Sequence, residues 1–201
     1  NMPSDWTDLT IDEYKGLYQL HNLGGGTAKT VFASIISRYQ DPDGDLGISD
    51  EGWEIAAKFL GNAHNIADGE DAVGSVINGT YPMDEHWASG VLTEQKDRDY
   101  KFQIMTPDIG EPYVEESLAI SAGTKKYDTC VAFLNWLGSS DVQLDWSNNY
   151  GTIPCQKEAL AQVSDDIKEL METLKPQDLD WSFIAENVDA WVEKAELEYV
   201  Q

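Results

Sequence analysis

The sequence predicts an α/β fold, and three observations support this. Short apolar segments of strand character alternate with longer amphipathic segments of helical period. Pro and Gly clusters separate the two kinds of segment. The 7 Trp, 9 Tyr and 5 Phe residues can supply a core and argue against disorder. Strands that interleave with helices are typical of α/β rather than α+β proteins.

Two amphipathic helices are predicted near the N-terminus. The first follows Gly24-Gly25-Gly26, has Thr27 as its expected N-cap and stops at the turn cluster 41–44. The second begins after Ser49, an N-cap whose helix carries Asp50 and Glu51 in the first turn, and ends at Gly61. The apolar positions of the two helices, spaced for one buried face each, are Ala28, Val31, Phe32, Ile35, Ile36, Tyr39 and Trp53, Ala56, Ala57, Leu60.

Further elements follow in order along the chain. We predict strands at 72–77, 100–104 and 117–121, a turn at Asn78-Gly79, and a short helix at 82–89. The pattern of the C-terminal part is helical, with predicted helices at 125–137, 141–147, 156–162, 164–174 and 181–198.

The net charge excludes some classes of partner. With 37 acidic and 13 basic residues, the formal charge is −24 and repels nucleic acid and anionic lipid surfaces. An acidic surface that favours solubility is the simpler interpretation, and weak attraction of cationic ligands is the alternative. No apolar run of about 18 residues is present, so we expect no membrane insertion, and the first residues show no signal-peptide pattern.

The two cysteines leave two alternatives open. Cys130 lies in the predicted helix 125–137, and Cys155 follows the Gly-x-x-Pro turn. A disulfide between them would contribute roughly 3 kcal/mol and would fit an oxidising compartment. Two unpaired buried thiols are the other interpretation.

No pattern of catalytic residues is visible in the sequence. The serines lack a Gly-x-Ser-x-Gly elbow, and the acidic pairs 84–85 and 115–116 are adjacent, so their side chains would splay apart. His21, His64 and His86 lack the close spacing of a zinc site. We therefore expect neither an enzyme, nor a metal site, nor a cofactor.

A series of landmarks in order resembles the bacterial extracellular solute-binding proteins of ABC importers, the class of ferric-iron, polyamine, thiamine and phosphonate receptors. These landmarks are Trp6-x-Asp8-Leu9, Tyr14-Lys15-Gly16, Gly26-Thr27-Ala28, Gly52-Trp53-Glu54, Gly69-Glu70 before a strand, Pro107 to Pro112, Phe133 to Leu137, Gln143 and Gly151-Thr152-Ile153-Pro154.

The resemblance implies a periplasmic-binding-protein type II fold, with two α/β lobes joined by hinge crossovers and a small-molecule ligand held between them. Residues 1–106 would form the second lobe, 107–116 a hinge crossover, and 117–155 a partial return to the first lobe. Residues 156–201 would pack back on the second lobe. The first lobe would be incomplete, because its N-terminal part has no counterpart here, and the stretch between Asn62 and Glu70 is shorter than in the family. The implied location is extracytoplasmic, and the implied partners are ABC permease subunits.

Seven residues are candidate ligand contacts. Gly25, Gly26, Thr27 and Ala28 begin a helix whose free backbone N–H groups suit phosphate, phosphonate or carboxylate, although these glycines could simply make the turn. Asn78 and Tyr81 occupy the place where, by resemblance, iron receptors carry paired tyrosines; with one tyrosine, Fe(III) is disfavoured. Trp87 could face a cleft or belong to the core.

We therefore expect a solute-binding component of an ABC importer. An anionic organic solute such as a phosphonate or phosphate ester is slightly preferred, with polyamine, thiamine or Fe(III) possible. The alternative is a non-transport secreted interaction module built on part of this fold. With part of a lobe missing, Leu118, Ile120 and Phe133 are expected to expose apolar surface or to mediate dimerisation.

Overall fold

The computed structural model describes residues 2–200, which divide into two compact units. Unit 1 takes residues 2–86, 103–112 and 175–200, and unit 2 takes Trp87–Phe102 and Tyr113–Leu174. The chain therefore passes between the units at four points, after His86, Phe102, Pro112 and Leu174. The correspondence between these units and the lobes inferred from the sequence stays a prediction.

The elements are as follows. The strands are β1 Tyr18–Leu20, β2 Gln40–Asp45, β3 His64–Asn65 and β4 Met83–Asp84. The α-helices are α1 Gly26–Ile36, α2 Asp50–Asn62, α3 Ala72–Asn78, α4 Ala88–Arg98, α5 Tyr127–Leu137, α6 Ser140–Tyr150, α7 Lys157–Leu160, α8 Asp165–Thr173 and α9 Trp181–Glu198. Short 3-10 helices cover Trp6–Thr10, Asp12–Tyr14 and Ser37–Tyr39.

Unit 1 is built around a parallel three-stranded sheet in the order β3-β1-β4. Gln19 pairs with His64 on one side, and Tyr18 pairs with Met83 on the other. All three residues of the central strand β1 are buried, as expected for a parallel strand covered on both faces. Helices α1, α2 and α9 supply most of the surrounding core, in which Phe32, Phe59 and Trp191 are almost completely enclosed.

Local capping explains where two of these helices begin. The Ser49 side chain accepts a hydrogen bond from the backbone N–H of Gly52, as the sequence predicts for α2. Asp180 accepts from the N–H groups of Ser182 and Phe183 at the start of α9. Trp191 of α9 is fully buried and donates its indole N–H to the carbonyl of Leu46 at 3.0 Å, so this large side chain is both enclosed and satisfied.

Unit 2 is helical throughout its described elements. Helix α4 packs against α6 and α8, and Ala159, Val163, Ile167 and Leu170 are buried. Helix α5 contains no buried residue, although it carries Phe133 and Trp136. Leu118 and Phe133 are 59% and 52% exposed, in agreement with the exposure expected from the sequence, while Ile120 is partly buried.

Several local predictions are wrong. Residues 72–77 form α3 rather than a strand, because Asp71 caps the first turn through the Gly74 N–H and Gly79 closes the helix with a positive φ of 78°. Gly69-Glu70 therefore precedes a helix, not a strand. No helix spans 82–89, where the chain instead forms β4 and then begins α4 at Ala88.

Other differences concern strands and a cap. The segments 100–104 and 117–121 form no strand, since neither finds a neighbouring strand to pair with. The N-cap of α1 is Gly25, without a side-chain hydrogen bond, so the prediction of Thr27 as N-cap is also wrong. The helix predicted at 181–198 is confirmed as α9, and α5 to α8 lie within the other four predicted segments or extend them by a few residues.

The cysteines agree with the second interpretation in being unpaired, but not in being buried. Both thiols are free; Cys130 is partly buried and Cys155 is exposed. Among residues 2–200, no helix combines the length and apolar character needed to cross a bilayer.

Candidate functional site

The carboxyl ends of the three parallel strands in unit 1 meet at one edge of the sheet. His21 follows β1, Ile66 follows β3 and Glu85 follows β4. The Ile66 N–H donates to the Leu20 carbonyl at 3.0 Å, and the Glu85 N–H donates to the Gln19 carbonyl at 3.3 Å, so the ladder continues into these positions. Ligands of open α/β sheets bind outside the carboxyl ends of strands, which makes this edge the candidate site.

The glycine run connects this edge to helix α1. Asn22 orders the turn: its side-chain oxygen accepts from the Gly24 N–H at 2.7 Å, and its carbonyl accepts from the Gly25 N–H at 2.8 Å. A Cβ added at Gly26 would meet no atom within 4 Å, so the space beside the first residue of α1 is open. The predicted contacts Gly25, Gly26 and Thr27 thus lie at an accessible helix N-terminus.

The other predicted contacts have different surroundings. Ala28 is buried in the core and is 3% exposed. Asn78 ends α3, and its side-chain oxygen accepts from both the N–H and the hydroxyl of Thr80. Tyr81 stacks on His64 with ring centroids 4.1 Å apart and an angle of 5° between the ring planes.

The predicted contacts in unit 1 lie at different ends of the strands. Asn78 and Tyr81 precede β4 and therefore lie toward its amino end, whereas Gly25 follows the carboxyl end of β1. Trp87 comes directly after His86 at the N-cap of α4, begins unit 2 and is 51% exposed, so it is not a core residue. Within unit 1, the predicted contacts therefore do not gather at one end of the sheet.

A different cluster at this edge escapes prediction from the sequence. One ligating atom from each of His21, Asp84 and His86 lies within 4.8 Å of the others, and His86 Nδ1 is 3.5 Å from an Asp84 carboxylate oxygen. The spacing of histidines along the sequence does not reveal it, because the ligating groups come from the carboxyl ends of two neighbouring strands, β1 and β4. The sequence gives no signal for this pairing, because neither strand is predicted from it.

Glu85 lies beside this cluster and is almost completely enclosed, at 1% exposure. Burial raises its pKa to about 7, while the hydrogen bond from the His21 N–H to Oε2 at 3.4 Å opposes that shift. The Oε1 atom has no hydrogen-bond partner among the described residues. A buried carboxyl group with a displaced pKa is characteristic of functional sites.

A small recess adjoins the edge within unit 1. It has a volume of about 70 Å³, and His21, Asn22, Asn65 and Ile66 are among the residues that line it. Pockets that enclose drug-sized ligands occupy roughly 300–1,000 Å³. This recess alone therefore suits an ion or one or two water molecules rather than a whole organic solute.

Comparison with known proteins finds a relative of this chain. The chain is 34% identical over 199 residues to the "Probable ABC transporter periplasmic-binding protein y4fP" of Sinorhizobium fredii (strain NBRC 101917 / NGR234). The match covers 99% of this chain and 55% of that relative, so the chain spans about half of the relative's length.

Two solved structures share the fold. A ferric binding protein from Campylobacter jejuni matches with a TM-score of 0.75 at 20% identity, covering 99% of this chain and 64% of that structure. Ferric iron-binding protein A of Mannheimia haemolytica, in an open conformation, matches with a TM-score of 0.74 at 17% identity, covering 99% and 63%. The predicted periplasmic-binding-protein fold is thereby confirmed.

A sequence model of one family supplies the remaining observation. The model described as "Bacterial extracellular solute-binding protein" matches residues 1–175, which is most of the chain, and its description agrees with the extracytoplasmic location that the resemblance implies. This chain therefore belongs to the bacterial extracellular solute-binding protein family.

Proposed function

We propose that this chain is part of the solute-capturing component of an ABC importer. In this role it binds a small solute outside the cytoplasm and passes it to permease subunits unchanged. The observation that carries the proposal is the family match over residues 1–175. The convergence of polar groups at the carboxyl edge of the β3-β1-β4 sheet supports it, because that is where a parallel sheet presents ligand-binding groups.

The proposal includes no catalytic step. The matched relative is named as a transporter's binding protein, and transport requires that the solute leave unaltered.

We also propose that unit 1 represents the second lobe of the family's fold and unit 2 the incomplete first lobe.

Two features of the edge favour opposite solute charges. The open N-terminus of α1 at Gly25 and Gly26 supports an anionic solute, such as a phosphonate or phosphate ester, because its backbone N–H groups carry partial positive charge. Asp84 opposes it, because its carboxylate repels an anion. Since this side chain is enclosed, at 7% exposure, solvent screens its field little, and it favours a cationic solute.

A thermal-shift screen tests the proposal. Phosphonates, phosphate esters, polyamines, thiamine, Fe(III) and divalent metal ions are each added to the purified protein. A solute at 100 times its Kd stabilises the folded state by about 2.7 kcal/mol, which gives a readily measured rise in melting temperature. No rise with any of these compounds would contradict the proposal.

A matched pair of variants ties the response to the edge. Asp84→Asn should abolish or strongly reduce the shift that a cationic solute or a metal ion gives. Asp189→Asn should leave it unchanged, because the Asp189 side chain is 91% exposed on α9, where it pairs with Lys29.

The alternative, a non-transport secreted interaction module, is favoured by the exposed apolar face of α5. The neighbourhood of the encoding gene separates the two functions. Adjacent permease and ATPase genes support the importer, and their absence together with a silent solute screen supports the module.

A further inference from the structure

The His21, Asp84 and His86 cluster has the composition of a metal site. It offers two imidazole nitrogens and one carboxylate oxygen within 4.8 Å of one another. The His21 and His86 rings, which follow β1 and β4, approach at that point with centroids 6.2 Å apart. In a tetrahedral zinc site with ligand bonds of about 2.0–2.2 Å, neighbouring donor atoms are roughly 3.3 Å apart. The 3.5 Å separation of His86 Nδ1 and the Asp84 carboxylate already approaches that spacing.

Unsatisfied polar atoms at the cluster point to a ligand. The Asp84 side chain is 7% exposed, and its Oδ1 atom has no hydrogen-bond partner among the described residues. His21 Nε2 is likewise buried without a partner there. Buried polar atoms in folded proteins are nearly always paired, because an unpaired one has lost its hydration without gaining a hydrogen bond. An ion bound by these atoms would remove that penalty.

The donor set selects the kind of ion. Imidazole suits Zn²⁺, Cu²⁺ and Ni²⁺, whereas Mg²⁺ and Ca²⁺ require sets built from oxygen donors. Three protein donors leave further coordination positions open, as in sites that exchange a bound group.

We propose that His21, Asp84 and His86 bind a divalent transition-metal ion of the Zn²⁺ class. This inference rests on the proposed function, because it names the solute that the carboxyl edge of the sheet captures. It assigns the binding to two histidines and an aspartate, in place of the phenolates that a ferric site would use.

Titration calorimetry of metal-stripped protein with Zn²⁺ tests the proposal. One Zn²⁺ should bind per chain, and a tenfold excess of Mg²⁺ should leave the Kd within twofold. Co²⁺ should bind at the same place and show ligand-field absorption in the visible range. No Zn²⁺ binding by the unmodified protein, or Fe(III) binding without Zn²⁺ binding, would overturn the proposal.

The third histidine provides the control. His21→Gln, His86→Gln and Asp84→Asn should each raise the Kd for Zn²⁺ at least tenfold and reduce the Co²⁺ absorption. His64→Gln should stay within twofold of the unmodified protein, because His64 bonds to Glu70 and stacks on Tyr81 outside the cluster. Equal weakening by His64→Gln, or Zn²⁺ binding that survives His21→Gln and His86→Gln, would overturn the assignment.

Two further measurements distinguish loss of the metal site from unfolding and from failure of the proposed function. Circular dichroism of each variant without metal verifies that it is folded, so a lost affinity reports on the site. If Zn²⁺ fails to bind while an organic solute raises the melting temperature in the thermal-shift screen, the metal assignment falls and the proposed function stands. If neither binds, both fall.

Discussion

At the scale of single residues, the surroundings of position 110 require a glycine. Its φ of +95° is a conformation that L side chains rarely adopt. A Cβ there would lie 2.7 Å from the Gln177 nitrogen and 2.8 Å from the Lys175 carbonyl oxygen. The backbone of the neighbouring Glu111 is hydrogen-bonded to the same segment. Its N–H donates to the Lys175 carbonyl, and its carbonyl accepts from the Gln177 N–H, each at 2.7 Å. The chain crosses between the two units just after Pro112 and just after Leu174, next to this contact.

Gly110→Ala should therefore destabilise the protein by about 1–3 kcal/mol, because it combines backbone strain with overpacking against backbone atoms that cannot move aside. Urea denaturation measures the change. Gly61→Ala is the control: it lies in α2 with no atom within 4 Å of the added Cβ and should stabilise by about 0.5–1 kcal/mol. Equal effects of the two substitutions would contradict the assigned role of Gly110.

Glu111 also gives a pH dependence. Burial raises its pKa above the ordinary 4.5, while the hydrogen bond from the Trp6 indole and the charge of Arg38 oppose the shift. The folded state thus holds the proton to higher pH than the unfolded chain. The stabilisation that comes from the protonated Glu111 carboxyl is therefore fully present below pH 4.5. It is lost as pH rises through the pKa that Glu111 has in the folded state.

Glu111→Gln should remove this contribution while retaining an oxygen acceptor for Trp6. The free energy of unfolding of the unmodified protein minus that of the variant should decrease as pH rises above about 4.5. Urea denaturation at several pH values measures the difference. Parallel curves for the two proteins would contradict a raised pKa at Glu111.

Single residues differ in how well the sequence reveals them. The N-cap Ser49 was predictable, because it acts on a backbone group three residues away. The cluster of His21 with Asp84 and His86 was not, because these residues are separated by more than sixty positions and meet only through parallel strand pairing. Tyr81 and Asn78 were assigned to the ligand from resemblance, and the contacts of their side chains are with His64 and Thr80.

At the scale of elements, helix α5 exposes two large aromatic side chains. Phe133 and Trp136 are 52% and 55% exposed, and their ring centroids lie 5.6 Å apart. Exposed apolar patches of this kind bind hydrophobic dyes and mark interaction surfaces.

The double variant Phe133→Gln with Trp136→Gln should lower the fluorescence of a bound hydrophobic dye without loss of thermal stability, because neither side chain is buried. Trp181→Gln offers a comparison, since Trp181 is 43% exposed at the start of α9 in unit 1. Unchanged dye fluorescence in the double variant, or an equal decrease in Trp181→Gln, would show that α5 is not the dye-binding surface.

Helices were more predictable than strands for a physical reason. A helix satisfies its own backbone and shows its apolar period locally, as α2 and α9 do. The strands β3 and β4 contain two residues each, which is too short for an alternating pattern, and they exist because both pair with β1. The apolar segment 72–77 has strand character by composition, but Asp71 and Gly79 cap it as a helix.

At the scale of the whole molecule, the charge of −24 acts on stability. Self-repulsion destabilises a compact acidic protein, and salt screens it, since the Debye length falls from about 30 Å at 0.01 M to about 3 Å at 1 M. The melting temperature should therefore rise when NaCl is increased from 0.01 to 1 M. A neutral solute at equal osmolality is the control, and a melting temperature that falls with salt would contradict this effect of charge.

The central claim is that the carboxyl edge of the β3-β1-β4 sheet captures the solute. An amide NMR titration with the compound that raises the melting temperature in the screen tests it most directly. We predict that the largest shift changes fall on His21, Asn22, Ile66, Glu85 and His86. Changes centred elsewhere in unit 1, with these five amides unaffected, would contradict the claim.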